Sequence, residues 1–330
     1  MDEFSFIQEC LAPLAGPEGL GLLDDAAVMT PRFGYDLVLT KDTMVEGVHF
    51  PDGEYGADVA GKLLRVNLSD IAAKGAHPIG YLLSIAWPRT ITGGEFNFAA
   101  REFARGLEGV QTRFGFPLFG GDTVRNDGPM VISATLIGEV PSGKMVRRSG
   151  AKPGDDVWVS GTIGDAYLGL HVIQSNDTKI RNATPTQRKH WLDAYWRPVP
   201  RLGLQDILMD IATASADISD GLISDIGHIA KASGVRADLD LSMVPISDGA
   251  ESLLEKFEPG SLLIDMITGG DDYEIAFTAD SDHRTSILER AKAQSIRVTR
   301  IGQCAKGQGV QCRDEKGRPV LIKRPGYAHF

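Results

Sequence analysis

Two short acidic motifs recur at a common spacing, and this constrains the chain more than any other feature of its sequence. Asn67-Leu-Ser-Asp70 returns as Asp217-Ile-Ser-Asp220-Gly221, and Gly120-Gly121-Asp122 returns as Gly269-Gly270-Asp271. The offsets are 150 residues from Asp70 to Asp220 and 149 from Asp122 to Asp271. Aspartates in glycine-rich surroundings, repeated in two halves, predict acidic loops that converge on one site suited to magnesium and a nucleotide. The length of 330 residues agrees with two domains, since it exceeds the comfortable size of a single core.

Charge narrows the partners. A formal net charge of −10 argues against nucleic acid and anionic membranes, both of which take a basic face. A phosphate substrate approaching so acidic a chain needs bridging divalent cations. Cys10, Cys304 and Cys312 form neither a CxxC pair nor a zinc spacing and read as reduced thiols. Met1-Asp-Glu-Phe4 is acidic where a signal peptide is basic, and no apolar run approaches the roughly 18 residues of a membrane span. The expectation is a soluble, cytoplasmic protein.

Along the chain, Phe4, Ile7, Leu11 and Leu14 predict a helix over 2–14. Asp24 and Asp25 precede a short apolar run; in a strand only one of them can face a shared site, and a solvated acidic turn is the alternative. Asp36–Thr40 reads as a strand, and period-2 alternation puts Thr40 and Asp42 on one face, a hydroxyl beside a carboxylate that suits a hard cation. His49 lies where that pattern ends. Residues 57–75 form the clearest helix, apolar along Val59, Leu63, Leu64, Leu68 and Ile71, with Asn67, Asp70 and Lys74 on a separate polar stripe. Gly56–Lys62 imitates a P-loop, but Leu63 stands where a Ser or Thr is required, so the match is rejected.

Strands are predicted over 79–87 and 130–140, and a helix over 95–113. Between them, Gly120 and Gly121 read as letting backbone amides approach a phosphate, with Asp122 offering a metal ligand. Arg147–Asp155 looks like a seam between domains, where an arginine either clamps a phosphate or is solvated linker. A strand at 156–160 and helices at about 164–174 and 199–212 follow, with 176–190 read as a mobile polar connection. Ser219 or Asp220 can cap a helix beginning near 221, whose N-terminus is also an anion site; capping does not account for Asp217. Tyr273, Ile275 and Phe277 predict a strand entered directly from the Gly269-Gly270 turn. A helix over 281–294 and a strand over 296–302 complete the pattern, and the aromatic tail Pro325–Phe330 is expected to dock on the body.

In their order along the chain these motifs resemble the thiamine-monophosphate kinase family. The resemblance rests on Asp24-Asp25-Ala-Ala, Asp42 with Val45-Glu46-Gly47 and His49-Phe50, and Asn67-Leu-Ser-Asp70. It continues through Gly120-Gly121-Asp122-Thr123, Arg148-Ser149-Gly150, Asp217–Asp225, Gly269–Glu274 and the terminal Gly326–Phe330. It implies an α/β (α+β) chain with the two-domain aminoimidazole ribonucleotide synthetase-like fold, mixed sheets packed with helices. Residues 1–148 are then an ATP- and metal-binding domain that pairs in a homodimer, and 149–330 a domain that completes the site. The implied reaction is ATP-dependent phosphorylation of thiamine monophosphate to thiamine diphosphate with several Mg2+ ions, the last step of thiamine diphosphate biosynthesis. By position, Asp25, Thr40, Lys41, Asp42, Asp70, Asp122, Asp217 and Asp220 match metal-ligand positions. Gly121, Asp122, Arg148 and Ser219 match nucleotide contacts, and His49, Asp271 and Arg324 match substrate contacts.

Three positions depart from the family pattern. Lys41 stands where a small hydroxyl residue is usual, Asp271 replaces a Glu, and an expected aromatic falls at Arg324 or Pro325. The chemistry asks for no general base, because a phosphate monoester is mostly deprotonated at pH 7 and already a nucleophile. None is evident in the sequence. Two rival readings are a synthetase of the same superfamily and a non-catalytic magnesium-nucleotide sensor. A selenophosphate synthetase would carry a reactive Cys in a glycine-rich loop, whereas Cys10 sits in a helical stripe.

Overall fold

Asp2 caps the first helical turn, α1 (Glu3–Phe6), its carboxylate accepting from the Ser5 amide at 2.8 Å. The helix predicted over 2–14 then widens into a π turn over Ile7–Leu11 and tightens to a 3-10 turn over Ala12–Leu14, which contains Pro13. These changes of pitch rotate the stripe: Phe6, Cys10, Leu11 and Leu14 are buried, and Phe4 is exposed. The computed structural model describes residues 1–174, 180–254 and 260–327. It divides into one unit of Met1–Ile71 with Ala76–Gly143 and another of Ala72–Gly75 with Lys144–Phe330.

The first unit is built on a four-stranded sheet. Its elements are β1 (Tyr35–Val45), α2 (Ala57–Ala73), β2 (His77–Pro88), α3 (Gly93–Phe114), β3 (Leu118–Asn126) and β4 (Val131–Pro141). The strand order is β1-β4-β2-β3, with β3 parallel to β2 and the other pairs antiparallel. In β2 the alternation is plain: Leu83, Ile85 and Trp87 are buried, while Leu82 and Ser84 face out. Trp87 packs edge-on against Phe6, Phe96 and Phe103, which fixes α1 and α3 on that face of the sheet. Gly106 of α3 lets α2 approach closely, since a Cβ there would meet the Ala57 carbonyl at 2.2 Å. Gly115, left-handed at φ 75°, ends α3 as the sequence predicts.

The second unit carries β5 (Asp156–Ser160), α4 (Asp165–Ile173), α5 (Pro185–Trp196), α6 (Gln205–Ile211), β6 (Ala212–Asp217), α7 (Leu222–Ser233) and β7 (Arg236–Asp240). There follow α8 (Asp248–Leu254), α9 (Ser261–Ile267), β8 (Ile275–Ala279), α10 (Arg284–Ala293), β9 (Val298–Ala305), β10 (Gly309–Arg313) and β11 (Pro319–Val320). The seven strands lie in the order β11-β10-β7-β9-β5-β8-β6; the β10–β7 pair is parallel and the rest are antiparallel. One core joins α7 to β5, β6, β7 and β9, and a satellite core gathers α4, α5, α8 and α9 around Trp191.

Several local expectations change here. Residues 185–190 of the expected polar connection are the first half of α5, started by Thr184 and Gln187 in a reciprocal capping box; residues 176–179 lie outside the described residues. The helix expected over 199–212 is a 3-10 turn at Leu202–Leu204 followed by the seven-residue α6. β7, β10 and β11 were not foreseen; in β7 the buried positions are Ala237 and Leu239, a pattern too short to stand out. β8 begins at Ile275, because Tyr273 sits in the left-handed region at φ 51° and belongs to the preceding loop.

Candidate functional site

The carboxylates expected to bind metal fall into three groups, each held by a different device. The first joins β1 to α2. Thr40 and Asp42 share the face of β1 turned to α2, and Thr40 Oγ1 donates to Asp70 Oδ2 at 2.5 Å. Asn67, fully buried, accepts from the Asp42 amide at 3.1 Å and donates to the Leu63 carbonyl at 2.8 Å, pinning helix to strand. Burial first, and then the nearby Asp70 carboxylate, push Asp42 up to about 7. Two crowded carboxylates beside a hydroxyl form an oxygen donor set that fits a hard divalent cation.

The second group occupies the other face of the same sheet. Lys41, between Thr40 and Asp42, points away from both by strand alternation. Register places Lys41 in a row with Thr135, Leu82 and Gly120, and Asp122 in the next row with Ser84, Ser133 and Thr43. Asp24, Asp25, Lys41, Gly121 and Asp122 line a cleft of about 760 Å³ over this face, walled by Leu11, Leu22, Leu82 and Ile137. The structure therefore brings Asp25, Lys41 and Asp122 around one cleft and Thr40, Asp42 and Asp70 onto the opposite side of the strand.

The glycine pair read as letting backbone amides approach a phosphate lies inside β3. Gly121 is required there by the neighbouring strand: a Cβ would stand 1.8 Å from the Leu83 carbonyl oxygen. The register of β2 on β3 shifts between Tyr81 and Leu82, one residue before the Leu83–Gly121 pair. The echo at Gly269-Gly270-Asp271 has a different form, a loop in which Gly270 (φ 74°) and Asp271 (φ 71°) are both left-handed. Asp70 likewise lies within a helix, whereas Asp220 lies in a loop. The repeated motifs thus do not share a local structure.

The third group sits in the second unit where β6 meets α7. Asp217, buried, ends β6, and Ser219, Asp220 and Gly221 make the turn into α7. This turn is laced to the 270–274 loop: the Asp271 amide donates to Ser219 O, Tyr273 N to Ile218 O, and Ile218 N to Glu274 O, each at 2.8 Å. The Tyr327 amide donates to Asp220 O at 2.9 Å, so the tail docks here as far as it is described; residues 328–330 of the expected docking segment lie outside. Arg324 is exposed. Arg148 is exposed, and its carbonyl accepts from Ser233 Oγ at 3.3 Å. In the first unit, His49 Nδ1 accepts from the Val45 amide at 3.1 Å.

Asp225, in the first turn of α7, reaches back to the turn that precedes the helix. Asp225 Oδ2 accepts from the amides of Ser219, Asp220 and Gly221 at 3.0, 3.1 and 3.2 Å. Burial, then the Asp220 carboxylate, push Asp225 up to about 7 against the pull of those amides and of Arg148. The sequence carried a signal for this residue, a carboxylate four positions after Gly221. An acid in the first turn of a helix is too common to single out from the sequence.

Two family models cover the chain: AIR synthase related protein, N-terminal domain, over residues 23–140, and AIR synthase related protein, C-terminal domain, over residues 152–315. A curated thiamine-monophosphate kinase from Caulobacter vibrioides is 45% identical over 99% of this chain and 90% of its own length. The chain belongs to the thiamine-monophosphate kinase family. Among solved structures, the family member from Stenotrophomonas maltophilia is 38% identical with a TM-score of 0.77, covering 91% of each chain. AaThiL complexed with AMPPCP and TMP is 30% identical with a TM-score of 0.76, covering 93% of this chain and 91% of that one. The two-domain fold expected from the motifs is the fold found. No helix among the described residues is long and apolar enough to cross a membrane.

Proposed function

We propose that this chain transfers the γ-phosphoryl group of ATP to the phosphate of thiamine monophosphate, giving thiamine diphosphate and ADP. The observation that carries this reading is the match to AaThiL, a relative complexed with AMPPCP, an ATP analogue, and with TMP. A terminal oxygen of the monoester attacks the γ-phosphorus, and the bond from that phosphorus to the β–γ bridging oxygen breaks as ADP leaves. The monoester is already an anion near neutral pH, so no side chain need remove a proton from it.

The chain's own residues hold and orient. In the first unit Thr40, Asp42 and Asp70 are proposed to hold Mg2+; Asp25 and Asp122, across the sheet, are proposed as further ligands, with Gly121 and Asp122 against nucleotide. Lys41 fits this set by its backbone carbonyl or not at all, because its side chain is a cation on the face away from Asp42 and Asp70. In the second unit Asp217 and Asp220 are proposed as ligands, Arg148 and Ser219 as nucleotide contacts, and Asp271 and Arg324, with His49 of the first unit, as contacts to substrate. Bound magnesium supplies neutralisation of the crowded phosphates. Asn67 and Asp225 contact neither phosphate nor metal in this scheme; they fix the backbone that carries Asp42 and Asp220.

A homodimer formed through the first unit is part of the proposal. Leu39, Leu82 and Val124 are 64%, 41% and 51% exposed on the outer sheet face, apolar surface that pairing of two first units would cover. Cytoplasmic location is proposed from the same family reading.

The deciding experiment incubates the purified chain with ATP, Mg2+ and thiamine monophosphate, with free thiamine as the control acceptor. Thiamine diphosphate formed from the monophosphate alone, and lost with EDTA, is the expected result. ATP left intact with every acceptor would favour a nucleotide sensor, and ATP consumed without thiamine diphosphate would favour a related synthetase.

A further inference from the structure

We propose that Asp220, Asp225 and His228 form a binding site for an imidazole-preferring divalent metal of the zinc or cobalt class. One ligand atom from each of the three lies within 4.8 Å of the other two, the one such grouping of three among the described residues. Asp225 and His228 lie three residues apart in α7 and so share a face of it, and Asp220 stands in the turn just before.

A second observation points independently to a cation. Asp225 is 1% exposed, and while its Oδ2 takes three backbone amides, no donor among the described residues reaches its Oδ1. An uncompensated buried carboxylate oxygen is costly; the groups clustered with it are another carboxylate and an imidazole, and the Arg148 charge pulls on Asp225 without a hydrogen bond to this oxygen. A metal bound by all three compensates it. The imidazole sets the class: magnesium prefers oxygen donors, whereas imidazole with carboxylate suits zinc and cobalt. Tetrahedral zinc at about 2.0–2.2 Å from each ligand needs ligand atoms roughly 3.4 Å apart. Closing from at most 4.8 Å takes side-chain movements of about 1 Å, which the exposed His228 can make. Water supplies the fourth ligand.

A metal so bound engages the Asp220 carboxylate that the kinase reading gives to magnesium, so zinc is expected to lower turnover. That consequence rests on the proposed function; the site itself does not.

Calorimetric titration of Zn2+ into the full chain in excess Mg2+ tests the site, with the visible spectrum of Co2+ in its place reporting nitrogen ligation. One equivalent of Zn2+ is expected to bind, weakened at least about tenfold in His228→Ala, an exposed position whose fold is checked by circular dichroism. Asp225→Asn is expected to weaken it as well. No zinc binding in excess Mg2+, or equal affinity in wild type and His228→Ala, would overturn the site. Zinc that binds through His228 yet leaves ATP consumption with thiamine monophosphate unchanged would overturn the competition for Asp220. A chain inactive with every acceptor would remove the kinase reading while the calorimetry still decides the site.

Discussion

Thr40 Oγ1 donates a 2.5 Å hydrogen bond to Asp70 Oδ2, tying a strand to a helix thirty residues later in the chain. The bond orients the Asp70 carboxylate toward the face of β1 that carries Asp42, whose carboxyl is held up at about 7. Asp70→Asn keeps an oxygen acceptor for Thr40 and removes the charge. Turnover with Mg2+ is expected to fall at least about 100-fold, the scale of losing one preorganised electrostatic contact at a reacting centre. The melting temperature should stay within a few degrees. An unfolded variant, or one with normal activity, would reject the assignment.

Gly120 and Gly121 are adjacent, and only one of them is sterically required. Gly121→Ala sets a methyl 1.8 Å from the Leu83 carbonyl oxygen and is expected to destabilise the first unit by about 3 kcal/mol. Gly120→Ala meets nothing nearer than Leu82 Cδ2 at 3.8 Å and should cost less than about 1 kcal/mol. Urea unfolding of the two variants in parallel decides whether close packing on Leu83 is what requires glycine at 121.

The bidentate pair of Arg201 with Glu274, joined by Ser160 Oγ, is largely withdrawn from water. Arg201→Met leaves the Glu274 carboxylate buried without its counter-charge, and a loss of about 3–5 kcal/mol in unfolding free energy is expected. The double variant Arg201→Met with Glu274→Leu should recover part of it. If the single change is neutral, the pair contributes no stability.

Asp165 accepts from Thr162 Oγ1 and Ser247 Oγ at 2.6 Å each, and His190 Nε2 lies 3.2 Å from it. The hydrogen bond to Asp165 raises His190; burial works to raise Asp165, but the bonds from His190, Ser247 and Thr162 outweigh it and lower the carboxyl. A raised histidine contributes stability that is fully present below its unfolded value of about 6.5 and is lost as pH rises through the folded value. The depressed Asp165 contributes above its unfolded value and is lost as pH falls through the folded one. Melting curves of wild type and His190→Asn should therefore differ most in mildly acidic buffer and converge in alkaline buffer. A constant difference across that range would argue against the linkage.

Leu82→Asp places a charge on the outer face of the first unit's sheet without touching its core, since Leu82 is 41% exposed. Light scattering is expected to show a dimer for the wild type and a monomer for the variant, with unchanged circular dichroism. A monomeric wild type would remove the dimer from the proposal.

Much of the architecture could be read directly from local pattern. Alternation marked β1 and β2, the 3.6-residue period marked α2 and α3, and Gly115 marked the end of α3. These features are dictated within one or two turns of chain, where side-chain period and backbone preference act on neighbouring residues. Motif order alone was also enough to indicate the family, because each motif keeps residue types that chemistry demands. Local pattern failed where a distant contact decides. The carbonyl of Leu83 is what requires a glycine at 121, and Tyr273 leaves its apparent strand to donate to the Ile218 carbonyl. Asp225 gathers the amides of Ser219, Asp220 and Gly221 in the turn before α7, which no spacing along the chain announces. Sequence by itself determined the strongly patterned elements, such as β1, β2, α2 and α3, and which carboxylates are available. Only the tertiary structure decided which face of a strand each carboxylate occupies and which amides remain open, because those follow from hydrogen bonds and steric contacts between segments far apart in the chain.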